Sequence, residues 1–441
     1  MIFRFSKIVI IFFRSIFLYK LNNKENSPEL YYSGYCLFKD SYRYPSSSKS
    51  DFLISIRIFK NILFSLLFKK INIELSKTNS GVAIFDGSLR SSKLRRNYVY
   101  KFSGLKTELV ISKDNLLSYY SFSSFTITFL FLSFSFLPVL LLSILSKNKL
   151  TYPLLICELI ECFILSELLF KHKIKQLFYF NIYERDSNIV AFYLMSRAIH
   201  INKIPSEVPI YFWNKIIIAN TLCICFPYQL EEYSHFKESI FIDQIKNWGP
   251  ERIVNAPKYV LEKNKNNNKP KYKIGFYTGG YWLRSQNGDV IVGDYVSIET
   301  ELMKNLVEYA KIYNVQIIFY LHPREMKEEN LAKTKNYYSE IDKNKNIHIS
   351  YDNIPSVLKL NDVDLGISIK STLMFERIFY GYKTLFYCFK QKDFPIKKSS
   401  LENIFIDKYT FNEIISKSLS FKISEFFHHF KITKYSKYLA E

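Results

Sequence analysis

Two short apolar runs that each end in polar residues constrain the fold of this chain more than any other feature. Residues 315–321, VQIIFYL, are mostly β-branched and aromatic, which suits a strand covered on both faces, and His322-Pro323-Arg324 ends the run. Residues 364–368, DLGIS, form a second such run, and Lys370-Ser371-Thr372 follows it. We therefore expect two buried strands with polar groups at the carboxyl end of each.

The residues after the second run predict a helix and a further strand. Residues 373–380, LMFERIFY, have apolar side chains at helical spacing, and the pattern stops at Gly381. Residues 383–387, KTLFY, then fit the next strand. Strand, helix and strand form a βαβ unit, and ligands bind such sheets beyond the carboxyl ends of the strands.

Ser371 or Thr372 would lie at the N-terminus of that helix. Free backbone N–H groups and the positive end of the helix dipole collect there, which favours a phosphate, and the two hydroxyl groups add donors. Arg324 and Lys370 would add positive charge nearby. A helix cap is the structural alternative for the hydroxyl residues, and capping is compatible with phosphate binding. The sequence thus predicts a phosphate site at this edge of the sheet.

A family resemblance follows from the order of these motifs: a strand ending in His-Pro, an aspartate-bearing strand, Ser-Thr, a helix with Glu376, and glycine. Over residues 270–390 this order resembles the C-terminal, nucleotide-binding domain of GT-B glycosyltransferases that build bacterial surface polysaccharides. It is similar in style to bacterial sialyltransferases and to capsule and teichoic-acid transferases. The resemblance implies that His322 approaches the donor's phosphate or leaving group, that Ser371 and Thr372 hold the phosphate, and that Glu376 contacts the ribose or sugar.

A domain boundary precedes this region. Residues 261–270, LEKNKNNNKP, are polar, low in complexity and end in proline, as interdomain linkers do. Residues 273–277 then fit a first strand, and Thr278-Gly279-Gly280 forms a glycine turn that lets backbone approach a ligand closely. Thr278, Gly279, Gly280 and Arg284 are therefore further donor-binding candidates. The turn is neither GxGxxG nor a Walker loop, which argues against a Rossmann dehydrogenase or a P-loop NTPase.

The first half of the chain alternates strand and helix patterns. We expect strands at residues 82–85, 107–111, 176–180, 216–219 and 221–226, with a basic turn between the first two that contains Arg90, Lys93, Arg95 and Arg96. The prediction is an α/β protein with two Rossmann-like domains of the GT-B type facing a cleft. Residues 1–260 would form an acceptor-side domain, 271–400 a nucleotide-sugar domain and 401–441 a helical tail.

An apolar segment interrupts the first domain. Residues 115–146 carry no charged side chain and are long enough to cross a bilayer, which takes about 20 residues. Three structures are open for it: a transmembrane helix, a monotopic hairpin or helix that dips into one leaflet, and buried core. Residues 52–70 have a basic amphipathic pattern typical of a membrane interface. We expect a cytoplasmic protein that is peripheral or monotopic on the inner face of the cytoplasmic membrane.

Composition limits the partners. The 61 Lys and Arg against 40 Asp and Glu give a formal net charge of +21, which fits an anionic membrane, nucleic acid or a phosphorylated substrate. No nucleic-acid-binding module is recognisable, so no nucleic-acid partner is expected. The six cysteines lack CxxC spacing, which indicates neither a zinc site nor a disulfide framework. Asp362-Val363-Asp364 is not a convincing DxD metal motif, so we expect no metal or other cofactor.

The predicted activity is metal-independent transfer of a sugar, with inversion, from a nucleotide-sugar donor to a glycan or lipid-linked acceptor. The pathway would be capsule, O-antigen or lipooligosaccharide biosynthesis. A base must activate the acceptor hydroxyl. Asp86, in Phe85-Asp86-Gly87, resembles the acidic motif of sialyltransferases with one acid missing, and Glu184 and Asp186 are rivals. The alternatives are a CDP-polyol phosphotransferase of the teichoic-acid type and a noncatalytic membrane-associated scaffold with a GT-B-like fold.

Overall fold

The computed structural model describes most of the predicted strands and the whole of the second βα region. The described residues are 80–86, 92–112, 168–180, 198–205, 217–234, 240–251, 272–287, 293–352, 356–387 and 400–437, with residues 56, 165, 191, 194, 195, 354 and 439 singly. The apolar segment 115–146, the linker 261–270 and all of segment 52–70 except Ile56 lie outside these residues.

Contacts divide the described chain into two compact units. The described residues of unit 1 lie within Met1–Ser206, Tyr211–Cys225 and Tyr233–Val254. The described residues of unit 2 lie within Phe226–Glu232 and Asn255–Glu441. Each unit contains its own sheet, and each is described by itself below.

Unit 1 contains a parallel six-stranded sheet in its described residues, with the strand order β2-β1-β3-β4-β5-β6. The strands are β1 (Val82–Asp86), β2 (Leu109–Ser112), β3 (Gln176–Tyr179), β4 (His200–Lys203), β5 (Ile217–Ile224) and β6 (Ile240–Asn247). All five residues of β1 are buried, as in a strand covered on both faces. The strands predicted near residues 82, 107 and 176 are confirmed.

Two expectations for unit 1 were wrong. The runs 216–219 and 221–226 are a single strand, β5, because the pairing with β6 resumes at Thr221 and the side chain of the intervening Asn220 donates to Asp243 of β6 at 2.8 Å. The predicted basic turn is a helix, Ser92–Ser103, whose Lys and Arg side chains hide the apolar spacing. Its buried Tyr98 donates to the carbonyl oxygen of Gly249 at 2.5 Å and meets the Trp248 ring edge-on, with ring centroids 5.7 Å apart.

Unit 2 contains a second parallel six-stranded sheet, with the order β12-β11-β10-β7-β8-β9. The strands are β7 (Lys273–Tyr277), β8 (Gln316–Tyr320), β9 (Ile347–Ser350), β10 (Leu365–Ser368), β11 (Thr384–Tyr387) and β12 (Phe405–Ile406). The chain runs outward from β7 through β8 to β9, then returns to place β10 on the other side of β7. That reversal makes a topological switch point between β7 and β10, the place where open α/β sheets bind ligands.

Helices connect the strands in both units. In chain order they are α1 (Ser92–Ser103), α2 (Tyr228–Ser234), α3 (Tyr281–Gln286), α4 (Gly293–Tyr313), α5 (Glu328–Asp342), α6 (Thr372–Phe379), α7 (Phe411–Ser420) and α8 (Ile423–His429). The predicted fold class, α/β with two Rossmann-like units, is confirmed. None of the helices in the described ranges has both the length and the apolar composition that a membrane span requires.

The C-terminal tail belongs to the core of unit 2. Its strand β12 pairs with β11, so the sheet extends beyond residue 400. The ammonium group of Lys383 donates to the carbonyl oxygens of Ser418 at 2.8 Å, Leu419 at 3.2 Å and Phe421 at 2.9 Å. Ser418 and Leu419 lie in the last turn of α7, where carbonyl oxygens have no partner within the helix, and Phe421 is its C-cap. The lysine therefore both caps the helix and ties it to the start of β11.

A buried arginine fills the space beside β10. Arg377 of α6 is 0% exposed and donates to the hydroxyl of Tyr277 at 3.0 Å and to the carbonyl oxygens of Leu360 at 3.0 Å and Lys383 at 3.2 Å. A Cβ atom added to Gly366 would lie 2.8 Å from Cδ of this arginine and closer still to its Nε. Gly366 is therefore required by the guanidinium that packs on the strand.

We expect Gly366→Ala to lower the free energy of unfolding of unit 2 by about 1–3 kcal/mol, since the new methyl group overpacks the site. Urea denaturation of the purified protein measures this. In an Arg377→Met background the same substitution should cost less, because the two residues then no longer collide. Equal costs in the two backgrounds would contradict this explanation.

Candidate functional site

Three neighbouring strands of unit 2 bring the predicted donor-binding residues together. Thr278, Gly279 and Gly280 follow β7, His322 follows β8 two residues after its end, and Lys370 to Thr372 follow β10. The strand ends touch: the Ser368 hydroxyl donates to the Tyr277 carbonyl oxygen at 2.7 Å, and the Tyr281 hydroxyl donates to the Lys370 carbonyl oxygen at 3.4 Å. The predicted convergence at one edge of the sheet is therefore present, and it lies at the switch point between β7 and β10.

Three polar atoms of His322 form hydrogen bonds with its neighbours. Its backbone N–H lies 2.8 Å from both Oγ1 of Thr278 and Oε2 of Glu325, and its carbonyl oxygen accepts from the Glu325 N–H at 2.8 Å. Its ring nitrogen Nδ1 accepts from the Arg324 N–H at 3.1 Å. Because Nδ1 accepts, the proton of the neutral ring lies on Nε2.

The charge state of His322 follows from its surroundings. Burial, then the positive charges of Arg284 and Arg324, lower the pKa of its ring to about 4. The ring is therefore neutral near neutral pH. With Nδ1 occupied, His322 presents a single N–H donor, at Nε2, rather than a positive charge or a free base.

Two positive side chains, Arg284 and Arg324, act on this ring, and a third, Lys370, follows the neighbouring strand β10. The guanidinium of Arg284 lies over the Tyr281 ring at 5.5 Å, and the ammonium of Lys370 lies over the Tyr295 ring at 5.5 Å. The two tyrosine rings stack on each other, with centroids 5.1 Å apart. Arg324 is exposed, and Lys370 and Arg284 are half-buried, so their charges face solvent at the edge of the sheet. This arrangement favours an anion beside His322.

The start of α6 has the predicted geometry. Ser371 is the N-cap, in an extended conformation with φ −150°, and its hydroxyl oxygen accepts from the Leu373 N–H at 3.3 Å. Ser371 and Thr372 are half-buried. Glu376 is 3% exposed, and its predicted contact with the ribose or sugar stays a prediction. The helix start combines a cap with an accessible pair of hydroxyl residues.

Glu325 is a residue of this site that the sequence did not reveal. Its carboxylate is 0% exposed and has four donors: Thr278 Oγ1 at 2.5 Å, Trp282 Nε1 at 2.6 Å, Tyr338 OH at 2.8 Å and the His322 N–H at 2.8 Å. These donors come from the ends of β7 and β8 and from α3 and α5. Its position three residues after the strand-ending histidine was the available signal.

Glu299 is a second buried carboxylate that sequence analysis did not find. It lies on α4, is 2% exposed and accepts from the Gly279 N–H at 2.5 Å and the Tyr281 N–H at 3.2 Å. Burial raises its pKa to about 8, although these two hydrogen bonds and the charge of Arg284 act in the opposite direction. The glycine turn after β7 is therefore already bound to a side chain of the protein itself.

The predicted bases fall in unit 1 or outside the described residues. Asp86 ends β1, is 1% exposed and forms an ion pair with Arg95 of α1. Arg95 also contacts Glu251 at 3.1 Å and lies over the Phe180 ring at 4.6 Å. Removing either partner of a buried ion pair is costly, so Asp86 is held in place rather than free. Glu184 and Asp186 lie outside the described residues, and the identity of the base stays a prediction.

Within the ranges that the structure covers, no group of three or more His, Cys, Asp or Glu side chains could hold a metal ion. The expectation of a reaction without a metal therefore stays a prediction.

Comparisons with known proteins give structural neighbours only. No family model matches the chain, and no curated protein matches it. MurG from Acinetobacter baumannii is similar over 81% of this chain and 96% of its own, with 11% sequence identity and a TM-score of 0.46. A UDP-GlcNAc 2-epimerase from Methanocaldococcus jannaschii, solved with UDP-GlcNAc and UDP, is similar over 78% and 93%, with 13% identity and a TM-score of 0.43. The wall teichoic acid polymerase TagF is similar over 86% and 92%, with 12% identity and a TM-score of 0.38. At these identities and TM-scores the likeness leaves the activity of this chain open.

Two conservative substitutions separate the roles of the donors to Glu325. Thr278→Val and Tyr338→Phe each remove one donor, so each should lower the free energy of unfolding by about 1–3 kcal/mol. Only Thr278→Val removes a contact with His322, so only this variant should shift the NMR signals of the His322 ring. Equal shifts in both variants would contradict this expectation and show that the effect reaches His322 through Glu325 rather than through its contact with Thr278.

Substitution of neighbouring arginines tests the cause of the low pKa of His322. Arg284→Gln and Arg324→Gln should each raise the pKa of His322 above about 4, because each removes a positive charge that disfavours the charged ring. The rise should stop short of the ordinary value, since burial is the largest cause of the shift. NMR titration of labelled histidine measures this, and Lys343→Gln, at an exposed position at the end of α5, is the control. A pKa that no arginine variant changes would contradict this account.

Proposed function

We propose that the protein is a glycosyltransferase whose unit 2 binds the phosphate of a nucleotide-linked sugar at the carboxyl ends of β7, β8 and β10. The observation that carries this proposal is His322, a neutral N–H donor at a topological switch point, with Arg284, Lys370 and Ser371 at the neighbouring strand ends. An anion is the ligand that such a combination of donors and positive charges favours.

The chemical role of His322 follows from its charge state. When the bond between the sugar and the phosphate oxygen breaks, negative charge develops on that oxygen. The N–H group of a neutral imidazole is too weak an acid to transfer its proton to that oxygen, so His322 would stabilise the leaving phosphate by a hydrogen bond from Nε2–H. Fixed donors and positive charges that meet developing charge are an efficient form of catalysis, because they need no rearrangement during the reaction. Arg284 and Lys370 would complete the stabilisation.

The acceptor and the cellular location belong to the same proposal. We infer a glycan or lipid-linked acceptor and a role in bacterial surface polysaccharide biosynthesis from the motif order described above. The basic amphipathic pattern of residues 52–70 and the uncharged run 115–146 support a position on the inner face of the cytoplasmic membrane. A lipid-linked acceptor would lie at that surface.

The test is transfer or hydrolysis of a panel of UDP-, GDP-, CDP- and CMP-linked sugars by the purified protein. His322→Ala should lower kcat/KM by about 10²–10³-fold, the usual effect of removing one donor to a developing negative charge. His322→Gln should retain more activity, because its amide keeps a neutral N–H donor. The matched control is His348→Gln, which replaces an exposed histidine on β9 of the same sheet.

The pH dependence gives an independent check. Because the His322 ring is neutral well above its pKa of about 4, kcat/KM should show no His322 ionisation between about pH 6 and pH 8. An inflection in this range that disappears in His322→Gln would contradict the role as a neutral donor. Absence of nucleotide binding and of transfer with the whole panel would reject the enzyme, and a polyol-phosphate product would establish the phosphotransferase alternative instead.

A further inference from the structure

One outer strand of the sheet in unit 1, β6, is exposed on both of its faces. Every residue from Asp243 to Asn247 is exposed, although a parallel sheet normally has both faces covered. The outer strand on the other side, β2, shows the usual burial, since Leu109, Val110 and Ile111 are all buried. The exposed part of β6 therefore extends beyond the side chains that cover the rest of the sheet.

One side of the β6 backbone also faces away from the sheet. The N–H of Trp248 donates to the carbonyl oxygen of Ile224 in β5 at 2.9 Å, and β5 and β6 keep one register along the whole strand. Because successive residues of a strand direct their backbone groups to opposite sides, the N–H and C=O groups of Asp243, Ile245 and Asn247 point away from β5. Among the described strands, β6 pairs with β5 alone. Its outer side can therefore accept another strand.

The features with which proteins usually protect such an edge are few in β6. Proteins shorten edge strands, place charged residues or proline in them, or bend them with bulges. β6 is eight residues long, contains no proline and carries only one acidic and one basic side chain, Asp243 and Lys246. Ile245, between these two charges, is 43% exposed. A long edge strand with an exposed apolar side chain favours pairing with a further strand.

A second copy of the same strand can pair with β6 in only a few registers. Two copies related by a two-fold axis pair antiparallel, so that one residue lies opposite itself at the axis. With Asp243 or Lys246 at the axis, like charges would face each other, which is unfavourable. With Gln244 at the axis, Asp243 would face Ile245 of the other copy, and its carboxylate would lose water without gaining a hydrogen bond.

The register with Ile245 at the axis avoids these conflicts. The two Ile245 side chains would cover each other. On the same face of the strand, Asp243 would lie opposite Asn247 of the other copy, whose amide can donate to the carboxylate. On the opposite face, Gln244 would lie opposite Lys246, whose ammonium group can donate to the amide oxygen. Cross-strand pairs of these kinds stabilise antiparallel sheets. The edge is therefore complementary to itself in this register.

We propose that β6 is a self-association surface at which two copies of this chain pair antiparallel, with Ile245 at the two-fold axis. The two unit 1 sheets then form one continuous sheet. This inference goes beyond the proposed function and does not depend on it. One strand from each copy buries less area than a standard protein interface. We therefore expect a dimer that dissociates on dilution, with a Kd of about 1–100 μM.

Sedimentation velocity of the purified full chain over a concentration series of about 1–300 μM tests the proposal. The unaltered protein should change from monomer to dimer and form no larger species, because a two-fold interface is closed. Ile245→Lys places like charges at the axis and should weaken association about tenfold or more. Ile312→Lys is the matched control, since it changes an exposed apolar residue near the end of α4 and should leave association unchanged.

Gln244→Glu tests the register. In the proposed register the new carboxylate faces Lys246 of the other copy on both sides of the axis, so the dimer should become about two- to tenfold tighter. With Gln244 at the axis, the same substitution would place two carboxylates opposite each other and weaken the dimer. Circular dichroism and thermal melting show whether each variant keeps its fold. If Ile245→Lys unfolds, the concentration series and Gln244→Glu decide.

Several results would overturn the proposal. They are a protein that stays monomeric at about 300 μM, a dimer that Ile245→Lys leaves unchanged, and a dimer that Gln244→Glu weakens. Hydrogen exchange adds a further criterion, because the amides of Asp243, Ile245 and Asn247 should be protected only in the dimer. Protection of these amides in the monomer would show that another segment of the same chain covers the edge. None of these results bears on the transfer assay, so the two proposals fail separately.

Discussion

The buried carboxylate of Glu325 is the interaction on which the site of unit 2 depends. A carboxylate without hydrogen bonds would be very unfavourable at a position that is 0% exposed. Four donors from two strand ends and two helices satisfy it, and within the described residues none of them is a Lys or Arg side chain. Loss of one donor would leave the buried carboxyl group with an incomplete set of hydrogen bonds. The ends of β7 and β8 are therefore fixed to each other, and His322 is fixed with them.

The ionisable side chains of the site differ in burial by the sign of their charge, and we call the buried group the lower layer and the accessible group the upper layer. The lower layer contains the buried side chains of Glu299 and Glu325, and the upper layer contains the more accessible Arg284, Arg324 and Lys370. Arg284 affects both layers, because its charge lowers the pKa of His322 and also acts to lower the pKa of Glu299. These accessible positive side chains attract an anion, while His322 itself stays neutral. A full positive charge in the interior would be unfavourable because it would lose its hydration.

Local sequence patterns predicted the strands and missed the contacts between distant residues. The runs that became β7, β8, β10 and β11 are short, apolar and β-branched, and Ser371 caps α6 where the pattern placed a helix start. Glu299 and Glu325 were missed because their partners lie on other elements, up to 47 residues away in the case of Glu325 and Thr278. The helix α1 was missed because its exposed basic residues conceal its apolar face. Apolar periodicity reports which face is buried, but it carries no information about which polar groups meet.

A common arrangement at the first strand of each sheet explains where reactive groups can lie. In unit 1 the carboxylate of Asp86, at the end of β1, pairs with Arg95 from the helix that follows. In unit 2 the backbone N–H groups after β7 pair with Glu299 from α4. The group at the strand end accepts hydrogen bonds in unit 1 and donates them in unit 2. In both units its partner is a side chain from a later helix. A group whose hydrogen bonds are already formed within the protein is less available to a ligand. Groups that can contact a ligand are therefore expected at the end of a neighbouring strand. In unit 2 that neighbour is β8, which ends at His322. In unit 1 the next strand along the chain is β2, which ends at Ser112, and the acids Glu184 and Asp186 follow β3, the neighbour on the other side of β1. The choice of base among Asp86, Glu184 and Asp186 therefore stays a prediction.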